Sequence, residues 1–132
     1  MRAKLMMVPV VVFAVAVGLG STATASDGSA APRVADTTVT IQAQGTDLSG
    51  QVRSPRPGRC ANNRTVIVMK QIGTRGGGDD VRFASDTASL QGNTYRWATG
   101  NTGTRGRFYA RVRPILGCRG DTSNTIRAIP NP

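Results

Sequence analysis

The sequence predicts an all-β fold, a single antiparallel β-sandwich of about seven strands stapled by one disulfide. Three observations predict it. Short runs alternate apolar and polar residues with period two, most clearly where Phe108, Ala110 and Val112 face one way and Arg107, Tyr109, Arg111 and Arg113 the other. Clusters of Gly, Pro, Asn and Asp separate these runs at sandwich-like intervals, and no helical pattern of useful length intervenes. Cys60 and Cys118 are the whole thiol inventory, an even pair with no histidine anywhere in the chain.

The leader explains why those cysteines should be oxidised. Arg2 and Lys4 precede an uncharged run from Leu5 to Gly20, followed by small polar residues ending in Ala23-Thr24-Ala25. A charged region, an apolar region too short for a bilayer-spanning helix and a small-x-small site form a secretory signal peptide. Residues 1–25 are therefore expected to be removed by cleavage between Ala25 and Ser26, delivering the chain to an oxidising, extracellular compartment with no membrane span in its mature part. No cysteine lies near the cut, so no lipid anchor is expected.

Residues 26–36 (SDGSAAPRVAD) are small, polar and aperiodic, and read as a flexible leader to a domain over 37–132. The first strand, TTVTIQAQG, puts Val39, Ile41 and Ala43 on one side, and the second, DLSGQVRS, does the same with Leu48, Gly50 and Val52. The two pair across QGTD. A loop, PRPGRCANN, is barred from regular pairing by its prolines and carries Cys60. RTVIVMKQI is the most continuously apolar run, a central strand with Val66 and Val68 inward. GTRGGGDD reads as a flexible turn, its carboxylates bonding nearby amides, and VRFAS as the next strand. SDTASLQGNTYRWAT ends in Tyr95 and Trp97, same-face residues expected to supply aromatic core. The arginine-coated GRFYARVR strand leads through Pro114 and Gly117 to Cys118, and NTIRAI closes the count.

Composition excludes more chemistry than it suggests. The chain carries a net charge of +10, with 17 basic and 7 acidic residues and no histidine or glutamate. Nucleophilic catalysis would need a base, and beyond the leader Lys70 is the only amine besides the arginines. Asp79 and Asp80 are adjacent on a glycine-rich turn, unsuited to a fixed carboxylate separation, and with Asp86 they lack the alternating spacing of a calcium loop. No catalytic residue, metal or cofactor is expected. The arginine excess reflects a GC-rich bacterial genome as much as any ligand. It nevertheless draws an exported domain toward polyanions, with Arg107, Arg111 and Arg113 as the candidate contacts. Intracellular nucleic acid is excluded by the leader, so the expected partner is an extracellular polyanion or a protein, with the oligomeric state open. The alternative is a secreted protease inhibitor or effector presenting the loop from Ser54 to Cys60, with Arg56 or Arg59 entering a trypsin-like pocket.

Four stretches carry a family likeness: LSGQVRS, CANNRTVIVMK, SDTASLQGNTYRW, and GRFYARV followed by a cysteine. Between Thr37 and Ala128 the chain resembles small secreted bacterial β-sandwich domains of the immunoglobulin-like and transthyretin-like (carboxypeptidase regulatory-like) kinds. The resemblance implies an accessory, adhesive or binding module without catalytic residues. It assigns no ligand.

Overall fold

The computed structural model describes residues 33–132. The expected signal peptide over 1–25, its cleavage point at Ala25 and Ser26, and residues 26–32 of the expected leader lie outside the described residues. The chain forms β1 (Thr38–Val39), β2 (Gln42–Gln44), β3 (Asp47–Arg53), α1 (Pro57–Cys60), β4 (Thr65–Gln71), β5 (Val81–Thr87), β6 (Ser89–Gln91), β7 (Thr94–Asn101), β8 (Gly106–Val112), β9 (Asp121–Thr122) and β10 (Ile126–Ala128). Two antiparallel sheets result. One is ordered β1-β3-β7-β6 with β2 also on β3, and the other β10-β8-β4-β5 with β9 also on β8.

The ten strand segments exceed the expected seven for identifiable reasons. β1 and β2 share one register on β3, with Val39 opposite Val52 and Ala43 opposite Leu48, and are interrupted only at Thr40–Ile41. β9 and β10 likewise divide a single edge of β8. β9 lies just before the expected NTIRAI run, and the other addition is β6. The run read as a single strand through Tyr95 is a hairpin, Gln91 opposite Thr94, turned by Gly92 at φ 67°. Glycine with positive φ at the first turn position, followed by Asn93, is what a two-residue hairpin turn of this twist requires. The chain passes from β5 in one sheet to β6 in the other through fully buried Ala88.

The core lies between the sheets. Val39, Leu48, Val52 and Trp97 from the first meet Val66, Val68, Phe108, Ala110 and Val112 from the second. Phe83 packs on Phe108 with ring centroids 4.9 Å apart. Tyr95 is partly buried beside Trp97, so the aromatic pair contributes to the core as expected.

Trp97 also explains the break between β1 and β2. Its indole N–H donates to the Thr40 carbonyl at 3.1 Å. That carbonyl is turned away from the β3 ladder, and the Gln51 N–H donates instead to the Thr40 hydroxyl at 3.0 Å. The buried indole thus finds an acceptor and no ladder donor is orphaned.

The Cys60–Cys118 disulfide is formed, with Cα atoms 5.5 Å apart, and joins the β3–β4 connection to the β8–β9 connection at one end of the sandwich. The folded part begins earlier than the expected boundary. Ala35, read as part of the flexible leader, is buried against this disulfide; its N–H donates to Gly117 O at 2.9 Å and its carbonyl accepts from Arg119 N–H at 2.8 Å.

Candidate anion-binding face

The register of the second sheet decides which arginines share a face. Arg107 is opposite Gln71 on β4 and Arg127 on β10; Arg111 is opposite Ile67; and Met69 is opposite Tyr109 on one side and Arg82 on the other. Directly paired residues project the same way. Arg82, Arg107, Arg111 and Arg127 therefore stand on the outer face, away from the Phe108 core. Arg113, one residue past β8, is exposed. From Arg107 to Arg113 the strand rise of ~3.3 Å per residue separates the ends of the trio by roughly 20 Å.

This face is not uniformly wet. Ile67, Met69 and Tyr109 form a second buried cluster on it, each under one-tenth exposed. Alternation alone sets Tyr109 in solvent beside the arginines. It is covered because the β4–β5 turn folds back over the sheet and is fastened there by Asp80. That carboxylate accepts from the Tyr109 hydroxyl at 2.6 Å, from Gly76 N–H at 2.8 Å and from Ile72 N–H at 3.2 Å. Arg75, from the same turn, donates to the Ser123 carbonyl. The glycine-rich turn read as flexible is tied at three points. Asp80 bonds nearby amides as expected, and a side chain 29 residues away as well.

Arg107 donates to the carbonyls of Ile72 and Gly73, holding the exit of β4. The Arg111 Nε is buried without an acceptor among the described residues. Arg111 as a whole is half-buried. Among the described residues a single ion pair occurs, Arg119 to Asp36. On this face the Asp80 carboxylate already accepts three hydrogen bonds, and Asp121, which lies beside Arg111 and Arg113, accepts from Val39 N–H at 2.8 Å.

The Tyr109–Asp80 bond fixes two titrations. The Tyr109 hydroxyl, the Gly76 amide and the field of Arg107 hold the Asp80 carboxyl below its ordinary range, against an opposing effect of desolvation. Burial, then the bond to Asp80, raises the Tyr109 phenol. A depressed acid contributes stability that is complete above the ordinary carboxylate pKa and lost as pH falls through the lowered value. A raised phenol contributes stability that is complete below a pKa of about 10 and lost as pH rises through the raised value. The turn is therefore expected to stay fastened across the whole neutral range. Replacing Tyr109 by Phe should move the Asp80 titration upward, read by carboxyl NMR; an unmoved Asp80 would rule out the bond.

No family model matches this chain, and no curated protein matches it.

The loop of the alternative reading lies at the surface, with Arg56 and Arg59 both exposed. Pro57–Cys60 coils into a helical turn, with Cys60 N–H donating to Arg56 O and Ala61 N–H to Pro57 O. Proline at the first helical position, with its preset φ and missing N–H, favours that start. Arg59 is drawn onto the Leu116 carbonyl at 3.4 Å. Only Pro57–Cys60 is helical, and Ser54 to Arg56 is irregular.

Sequence reasoning also missed Arg64, which resembles any other surface arginine. It is 3% exposed and donates to four oxygens: Cys60 O at 2.8 Å, Arg113 O at 2.6 Å, Arg119 O at 2.9 Å and Thr37 Oγ1 at 3.4 Å. Its position just before the apolar TVIVM run was the only available signal. Asp86 sits away from the turn, accepting from Ala98 N–H at 2.8 Å.

Proposed function

We propose that this chain is a secreted, non-catalytic binding or structural module of the immunoglobulin-like kind, whose outer second-sheet face engages extracellular or cell-envelope polyanions. The observation that carries the polyanion reading is the register gathering Arg82, Arg107, Arg111 and Arg127 on one face. Surface arginines ordinarily interleave with acids. Here Asp80 is engaged by the turn and none of the four forms an ion pair among the described residues, so a phosphate, sulfate or carboxylate polymer would meet guanidinium groups without a carboxylate partner.

Strand order supports the immunoglobulin-like kinship over the transthyretin-like one. Taken as eight continuous runs in chain order, the first sheet runs one, two, six, five and the second eight, seven, three, four. This is the ABED and GFC arrangement with an added C′ strand. The disulfide departs from the usual inter-sheet position, and the buried tryptophan lies on the sixth run, not the third. Export is supported by the leader sequence together with a formed disulfide.

The test is retention on immobilised heparin or teichoic acid. Binding at low ionic strength should disappear at high salt, where the Debye length falls to about 3 Å. Replacing Arg107, Arg111 and Arg113 by Ser should lower the salt needed for elution. Absence of retention at low salt would end the polyanion reading.

A further inference from the structure

A cavity lined by basic residues opens at the end of the sandwich away from the disulfide. Lys70, Arg105, Arg107 and Arg127 line a cavity of about 390 Å³, and no carboxylate shares its lining. Its walls are apolar: Ile72 and Ile129 are 51% and 56% exposed, and Ala128 is fully buried beside them. Lys70 belongs to the inward-facing side of β4, opposite Phe108, so its ammonium emerges from the mouth of the sandwich and not from the arginine face. Gly106 makes room for it. With φ at 149°, it allows the Lys70 Cε so near that a Cβ there would lie only 3.1 Å away.

We propose that this cavity is a binding site for a small amphipathic anion, an aromatic or short aliphatic body carrying a carboxylate, sulfonate or phosphate. Like charges gathered without acids repel, and the isoleucine walls cost hydration; one ligand with an oxyanion at one end and an apolar body at the other relieves both. The volume falls within the range of small-molecule sites. A polymer of repeated charges needs the length of the arginine face, whereas this site sets apolar walls beside its charge. The inference goes beyond the polyanion reading, and of the residues named there it shares only Arg107 and Arg127.

Anilinonaphthalene sulfonate, which combines the two features and brightens in apolar surroundings, is the probe. The folded, oxidised chain should bind it saturably with one-to-one stoichiometry. Arg105→Ser, outside any strand, and Lys70→Met should each weaken binding at least tenfold while thermal unfolding shows the variants folded. Inorganic sulfate, lacking the body, should compete only at far higher concentration. Arg111→Ser with Arg113→Ser should leave probe binding intact while reducing heparin retention, so the two sites fail separately. No saturable binding, affinity unchanged in both Arg105→Ser and Lys70→Met, or competition by sulfate at the probe's own concentration would each overturn the assignment.

Discussion

Replacing Arg64 by Met is expected to cost about 3–5 kcal/mol of folding stability. Met retains much of the volume of the arginine stem and none of its donors. Three backbone carbonyls, of Cys60, Arg113 and Arg119, would lose a partner inside the fold. Each buried acceptor left unpaired costs ~1–3 kcal/mol before water finds a way in. Burial lowers the Arg64 pKa, yet a guanidinium stays charged at neutral pH, so the wild-type site holds a cation balanced by carbonyl and hydroxyl dipoles alone. Arg64→Lys keeps the charge but not the planar fork that reaches both connections at once, and should recover only part of the loss. Urea unfolding followed by Trp97 emission measures it. A Met variant within about 1 kcal/mol of wild type would show the clamp to be ornamental.

Arg64 and the disulfide act on the same junction by different routes. Closing 58 residues of chain restricts the unfolded ensemble by about 4 kcal/mol on the chain-entropy model. That contribution belongs to the unfolded state and is indifferent to Arg64. The hydrogen bonds belong to the folded state, where they hold the carbonyl of Cys60 itself and that of Arg119, next to Cys118. A double-mutant cycle with Cys60→Ala and Cys118→Ala should therefore be close to additive, and any excess measures how far the disulfide also organises the native loops.

What was legible in the chain follows from which signals are local. Period-two alternation located β3 and β8 with the correct inward residues, because a half-buried strand must alternate whatever surrounds it, and β4 was located by its continuous apolar run, being buried on both faces. The cysteine pair was legible because two thiols allow one connectivity. Three further features were not, two because they depend on partners distant in sequence and one because its local signal is short. Tyr109 read as solvent-facing because alternation assigns a side of the sheet, and only the folded turn that brings Asp80 over it decides that this side is covered. β6 was absorbed into its neighbour because Gly92-Asn93 is a two-residue signal inside a polar stretch. Lys70 reads as one cation closing an apolar run, but that it lines a cavity with Arg105 and Arg127 requires knowing that β10 borders β8. The candidate face was half legible: Arg107 and Arg111 from the alternation, Arg82 and Arg127 only from the register.

Substituting Gly50 by Ala should be the most damaging single-methyl change in the chain, costing about 3–5 kcal/mol. Gly50 lies on β3 directly opposite Trp97, on the inward face where Leu48 and Val52 are both buried. A Cβ there would sit 1.9 Å from the Thr40 carbonyl oxygen and 2.8 Å from the indole nitrogen. Neither neighbour is a flexible side-chain end. The carbonyl is backbone, held by the Thr40 N–H donating to Gln51 O at 3.0 Å, and the indole is its hydrogen-bond donor. Either the first strand lifts off β3, or the ring leaves its place and forfeits the burial of the largest side chain in the core; the expected cost corresponds to losing a buried aromatic. Trp97 is the only tryptophan in the sequence, so its emission reports which occurs. A red-shifted folded-state spectrum means ring displacement, whereas an unshifted spectrum with a lowered midpoint means strand displacement. A Gly50→Ala variant as stable as wild type with unchanged emission would refute the packing of Trp97 through Gly50. Trp97→Phe combined with Gly50→Ala should be less than additive, because the smaller ring removes one of the two groups that a Cβ would strike.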